Sequence, residues 1–236
     1  MTKTEMRVRS DDTGSARTLT EQAYEHLRRD ILSGALPPAS RLGAEALKLR
    51  YGVSGSTVRE ALTRLSAESL VTFEGQRGFR VAATSREDFA DLCDVRKSIE
   101  VEALRRSILA GDDEWEAAVV ASFHRLAKVE QQFPDHQLEL YNEWEDRNRG
   151  FHKALLSACP SRWLIRIHDQ LFQQAERYRR ITFAARGLKK PRNVHAEHLA
   201  IMQSAVARDV DAACGLAASH IQRTLSTLKE ITSRKE

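Results

Sequence analysis

Along the first third of the chain the apolar positions recur at helical spacing. Leu19, Ala23, Tyr24, Leu27 and Ile31 fall on one stripe, which predicts an amphipathic helix that stops at Ser33-Gly34, ahead of Leu36-Pro37-Pro38. A short second helix is expected over residues 44–51, ended by Gly52. A third starts around Ser54 to Ser56 and runs to Glu68, with Val58, Ala61, Leu62 and Leu65 inward and a polar outer face. The period then drops to two: residues 70–73 and 79–82 are short β-rich runs on either side of Glu74-Gly75-Gln76-Arg77-Gly78, which predicts a β-hairpin.

Three helices followed by a hairpin is the winged helix-turn-helix plan, placed at residues 18–82 behind a flexible leader of residues 1–17. Ser85 with Asp88 three residues on resembles a helix N-cap, so residues 83–86 form a linker. Residues 87–236 carry only helical signals. Breaks at Gly111-Asp112-Asp113, Pro134, Cys159-Pro160-Ser161, Gly187 to Pro191 and Arg208-Asp209 give about six helices, an all-α bundle large enough to enclose a cavity. The expected fold class is therefore mostly α.

Composition narrows the class of function. The formal charge is +4, and residues 1–80 hold 13 Lys and Arg against 10 Asp and Glu while the rest is nearly balanced, so the basic excess lies where the helix-turn-helix is predicted. Cys93, Cys159 and Cys214 form no CxxC pair, which argues against a disulfide framework or a thiolate zinc site and fits a reducing cytoplasm. No apolar run is long enough for a membrane span, and the first residues lack the apolar core of a signal peptide.

A helix entering the major groove needs small or polar residues at its start and hydrogen-bonding side chains outward. Ser54, Gly55, Ser56, Thr57, Arg59 and Arg64 meet that need on the third helix, and Arg77 adds charge at the hairpin tip, with Arg80 beside it. Ser and Thr there also cap the helix. The competing reading is a solvated, salt-bridged helix beside a hairpin. In the bundle, His152, His198 and His220 stand on three different predicted helices, and Asn148 precedes His152 by one turn. Three imidazoles and one oxygen suit a divalent metal, Zn²⁺ first and Ni²⁺ or Mn²⁺ next, whereas dispersed histidines are more often structural. His124, His168 and His195 share no such alignment and read as structural or exposed.

The stretches "YEHLRRDILSGALPPASRL", "RYGVSGSTVREALTRLSAESLV" and "EGQRGFRV" resemble the N-terminal domain of the GntR family of bacterial transcription regulators, and the remainder resembles the helical FCD effector domain of its FadR-like subfamily. "SRWLIRIHDQLFQQAERYR" is similar to the branch that contains repressors of glutarate and related dicarboxylate use. The resemblance implies a homodimeric, cytoplasmic, ligand-responsive DNA-binding repressor. It also implies a metal held by an Asp or Asn and three His, here Asn148, His152, His198 and His220, and an Arg turned into the cavity, here Arg96, to hold a small carboxylic acid. Asn148 is a weaker ligand than Asp, and Gly55 stands where many members carry an Arg that reaches DNA. Arg96 is equally placed to pair with Glu100 at i+4. Two alternatives stay open: a DNA-binding regulator with a structural metal or none and an apolar or acyl effector lodged against "ALLSAC" and "RWLIRIHDQLF", or a metal-dependent enzyme. The second is disfavoured because no general base, nucleophile elbow or phosphate loop accompanies the histidines.

Overall fold

The structure, a computed structural model, describes residues 18–132, 139–184 and 192–232. The expected leader and the breaks at Pro134 and Gly187 to Pro191 lie outside the described residues. The N-terminal unit comprises α1 (Leu19–Ser33), β1 (Arg41–Leu42), α2 (Ala44–Tyr51), α3 (Gly55–Ala67), β2 (Val71–Phe73) and β3 (Phe79–Val81). Six helices follow among the described residues: α4 (Arg86–Ala110), α5 (Asp113–Glu130), α6 (Tyr141–Leu156), α7 (Arg162–Ala184), α8 (Val194–Val206) and α9 (Val210–Thr232).

Local chemistry sets the boundaries. The Thr18 hydroxyl caps α1 by accepting from the Glu21 amide, and Ser54 and Ser85 do the same for α3 and α4 through the amides of Thr57 and Asp88. Gly52 ends α2 at φ +65°, in the left-handed region that costs a glycine nothing. The two β-rich runs pair as the expected hairpin, with Phe73 opposite Phe79 and Val71 opposite Val81. The sequence reading missed β1, a two-residue strand that pairs with β3 and makes the sheet order β1-β3-β2. Two residues hold too little periodicity to be read, and only the partner strand defines them. Leu19, expected on the buried stripe of α1, is exposed.

Each unit has its own core. Ala23, Leu27, Ile31, Leu47, Val58, Leu62, Leu65 and Val81 close the winged unit. Leu104, Trp115, Val119, Leu126, Phe151, Leu155 and Ile201 close the bundle, and Phe89, Cys93, Ala175, Tyr178, Ile221 and Leu225 join α4, α7 and α9. The junction between the units is polar and runs through α7: Arg28 reaches Glu176 (3.1 Å), Gln174 donates to the Glu68 carbonyl, and Arg177 donates to the Ala82 carbonyl (3.1 Å).

Candidate functional site

On the winged unit, α3 presents its N-terminus outward. The Ser54 Oγ lies 2.8 Å from Ser56 Oγ and 2.9 Å from Thr57 Oγ1, so the three hydroxyls form one cluster at the helix start, beside the free amides of the first turn. A Cβ built on Gly55 would meet only Lys48 Cδ at 3.4 Å, ordinary contact, so packing does not demand glycine there. Its effect is to leave the helix start bare. Arg59 and Arg77 are exposed and have no partner among the described residues. Arg64 differs: its Nη1 pairs with Glu21 (2.8 Å), and its guanidinium lies 4.0 Å from the centre of the Tyr24 ring, which ties α3 to α1. Arg80 is engaged as well, with Glu74 (2.9 Å) and the Ala39 carbonyl (2.9 Å).

In the bundle, His152 on α6, His198 on α8 and His220 on α9 converge, although they are 46 and 22 residues apart in sequence. Their ring centroids are 4.7 to 5.7 Å apart, and one ring nitrogen from each lies within 4.8 Å of the others. Each Nδ1 faces a carboxylate at 2.8 Å: His152 faces Glu100, His198 faces Glu130 and His220 faces Glu197. An ionised carboxylate only accepts, so each Nδ1 carries the proton and each Nε2 offers a lone pair. At His220 the Arg192 Nη2 lies 3.1 Å from Nδ1, but its donors are engaged by Glu197 and the His220 carbonyl. The Nε2 atoms of His152 and His198 are buried with no hydrogen-bond partner, and so is Oδ1 of Asn148, one turn before His152.

Burial favours the neutral form at two of the three imidazoles, His152 and His220. Burial lowers His152 to about 4 and holds His220 well below the ordinary histidine range. Burial works against the charge on Glu100, yet Arg96 and His152 outweigh it and keep its carboxyl well below the usual range. Burial likewise opposes Glu130, which His198 and Trp144 hold low. Three imidazoles with their Nδ1 atoms anchored, plus an unpartnered amide oxygen on the same helix face as His152, are a donor set that fits a divalent metal.

Arg96 is buried and its Nε donates to Glu100 (2.9 Å), so the i+4 ion pair weighed against an effector role is formed. The pair also adjoins the histidine cluster, since Glu100 orients His152 and the Arg96 guanidinium lies 4.6 Å from the centre of the Phe172 ring. His168, expected to be structural or exposed, is buried 3.5 Å from Glu100 and 5.5 Å from the Phe172 ring centre. His195 bonds Glu130 at 3.1 Å. Sequence reasoning missed Glu130, Glu197, Phe172 and Arg179. Only Glu197, beside His198 in "HAEHLAIM", carried a visible signal. Cys93 and Cys159 are buried, as expected of small hydrophobes.

Together the fold and these two regions define a winged-helix DNA-binding protein with an all-helical C-terminal domain. Residues 19–81 match "Bacterial regulatory proteins, gntR family" and residues 91–223 match "FCD domain". The chain is 47% identical to the HTH-type transcriptional regulator BphR of Paraburkholderia xenovorans (strain LB400), over 92% of this chain and 87% of that protein. It is 32% identical to the HTH-type transcriptional repressor GlaR of Escherichia coli (strain K12), over 88% and 94%. Among solved structures, E. coli McbR/YncC has the same fold at 20% identity, with a TM-score of 0.72 over 91% of this chain and 99% of that one. The chain belongs to the GntR family, in its FCD-containing, FadR-like subfamily, and is a DNA-binding transcription regulator rather than an enzyme. Among the described residues no helix is long and apolar enough to cross a membrane.

Proposed function

We propose that this protein is a cytoplasmic, homodimeric repressor that leaves its operator when a small carboxylate enters the helical cavity at a divalent metal. The observation that carries this reading is the triad of buried histidines whose Nδ1 atoms are each anchored by a carboxylate and whose outward nitrogens, with Asn148 Oδ1, are left to bind a metal. When bound, the metal supplies a Lewis-acidic position at which a carboxylate oxygen completes the shell, with Zn²⁺ favoured by three imidazoles and Ni²⁺ or Mn²⁺ also suited.

The chain's own groups do the rest. His152, His198 and His220 hold the ion, Asn148 adds a neutral oxygen, and Glu100, Glu130 and Glu197 fix the ring orientations. Arg96 supplies a cation beside the same cavity. On the winged unit Ser54, Ser56 and Thr57 hold a phosphate at the helix start, Gly55 allows close approach, and Arg59 and Arg77 make the side-chain contacts. Arg64 serves by fixing α3 on α1, because reaching DNA would break its pair with Glu21. A dimer follows from the size of one recognition helix, which covers a half-site only.

The test is elemental analysis of untagged protein purified without added metal or chelator, followed by operator release. About one transition metal per chain, lost in His152→Ala, with release by a small carboxylate only when metal is present, supports the reading. A chain that takes up no Zn²⁺ on soaking overturns it.

A further inference from the structure

A cation from the neighbouring helix stands over the bare start of α3. Lys48 lies in the last turn of α2, whose end at Gly52 turns the chain back so that the two helices meet. Its Cδ is 3.4 Å from the point where a Cβ on residue 55 would stand, so the Lys48 stem lies against Gly55. The ammonium is two bonds past Cδ, which keeps Nζ within roughly 6 Å of that same point. Ser54 and Ser56 flank it in the chain, and their hydroxyls cluster with that of Thr57. The first turn of α3 carries no charged side chain before Arg59, so Lys48 brings a formal charge to a helix start that has none of its own.

The ammonium is only loosely held. Nζ donates to Glu45 (2.8 Å) in an i, i+3 pair whose carboxylate side chain is 84% exposed. Solvent and salt screen such a pair, so Nζ exchanges Glu45 for another anion at small cost. Arg64 contrasts with it, because the Tyr24 ring reinforces its pair with Glu21.

We propose that Lys48 is a DNA-contacting residue that reaches across Gly55 to the backbone phosphate held at the start of α3. This rests on the reading of that helix start as a phosphate site and adds its charged partner. The first-turn amides and hydroxyls give directed donors, whereas an ammonium gives a point charge with three donors on a flexible stem. A phosphate rather than a base is the target, because the first helix of a helix-turn-helix crosses the backbone. Gly55 gains a second effect: a longer side chain there would occupy the space of the Lys48 stem.

Fluorescence anisotropy of the full chain over a salt series tests this. The probes are an operator duplex selected from a random-sequence pool by the wild type, and a scrambled duplex of equal length. Lys48→Met keeps an unbranched stem against Gly55 and removes the charge. It should weaken both duplexes alike, by about tenfold, and lower the slope of log affinity against log salt by about one per bound chain. Lys48→Arg should keep both affinity and slope, and Gly55→Arg should recover binding in a Lys48→Ala background. Lys97→Met breaks a similar exposed i, i+3 pair, with Asp94 (3.1 Å) on α4, and controls for the loss of one positive charge. It should leave the slope unchanged. A Lys48→Met chain of wild-type melting and wild-type slope, or one that loses no more than Lys97→Met, overturns the Lys48 assignment. Weakening confined to the operator overturns it too, since that marks a base contact. Ser56→Ala with Thr57→Ala separates the two readings. If that variant weakens both duplexes and Lys48→Met does not, the phosphate site stands without Lys48; if neither weakens them, both readings fall.

Discussion

Glu130 illustrates how much of this site depends on single side chains outside the ligand set. Its two oxygens face His198 (2.8 Å), His195 (3.1 Å) and the Trp144 indole N–H (3.1 Å), so it sets the tautomer of a triad imidazole while satisfying a buried tryptophan. Glu130→Gln keeps the shape but offers a neutral, two-faced amide. Zn²⁺ affinity measured by competition with a chromogenic chelator should fall about 10- to 100-fold, with His198 still in place. On the DNA side, Arg59 is exposed and unpartnered whereas Arg64 is locked to Glu21. Arg59→Ala should cost about 1–3 kcal/mol of specific operator binding by fluorescence anisotropy. Arg64→Ala should act mainly through stability, by loss of an ion pair and a stacked ring. Unchanged operator affinity in the Arg59 variant would remove that residue from the interface.

Among the elements, α7 is the one that links the two units. His168, Phe172 and Arg179 on it lie near the histidine cluster, and Gln174 and Arg177 bond the winged unit. Glu176 sits between, accepting from Arg28 of α1 (3.1 Å) and from Arg149 of α6 (2.8 Å), the residue next to Asn148. A shift of α6 or α7 on ligand binding would therefore be felt by α1 through one buried carboxylate. Glu176→Gln should leave acid binding and operator binding separately near wild type but reduce their coupling by about 1 kcal/mol, roughly fivefold, in operator titrations with and without the acid. Coupling equal to wild type would show that the signal bypasses this contact.

At the scale of the molecule, two separate cores joined by a polar junction imply that metal stabilises one part more than the other. With free Zn²⁺ at about 100 times its dissociation constant, mass action adds about 2.7 kcal/mol to the helical domain. For a domain of this size that is a rise in melting temperature of roughly 5–10 °C. Calorimetry with and without chelator should show that shift in the transition of the helical domain and little change in that of the winged unit. A uniform shift of a single transition would mean that the junction welds the two into one cooperative body.

What the sequence determined by itself is what short-range physics dictates. Caps at Ser54 and Ser85, the left-handed stop at Gly52, the apolar stripe of α3 and the paired β-rich runs of the hairpin all depend on neighbours a few residues away, and all appear in the structure as read. The i, i+4 pairs, Asn148 with His152 and Arg96 with Glu100, were legible for the same reason. The tertiary structure alone decided which carboxylate anchors which histidine, since His152 meets Glu100 and His198 meets Glu130 across 52 and 68 residues. It alone paired Arg64 with Glu21 of α1, paired β1 with β3, and brought Arg179 and Arg96 to one aromatic ring. Those contacts depend on how helices cross. A crossing is set by the packing of whole faces, for which no window of consecutive residues carries the information.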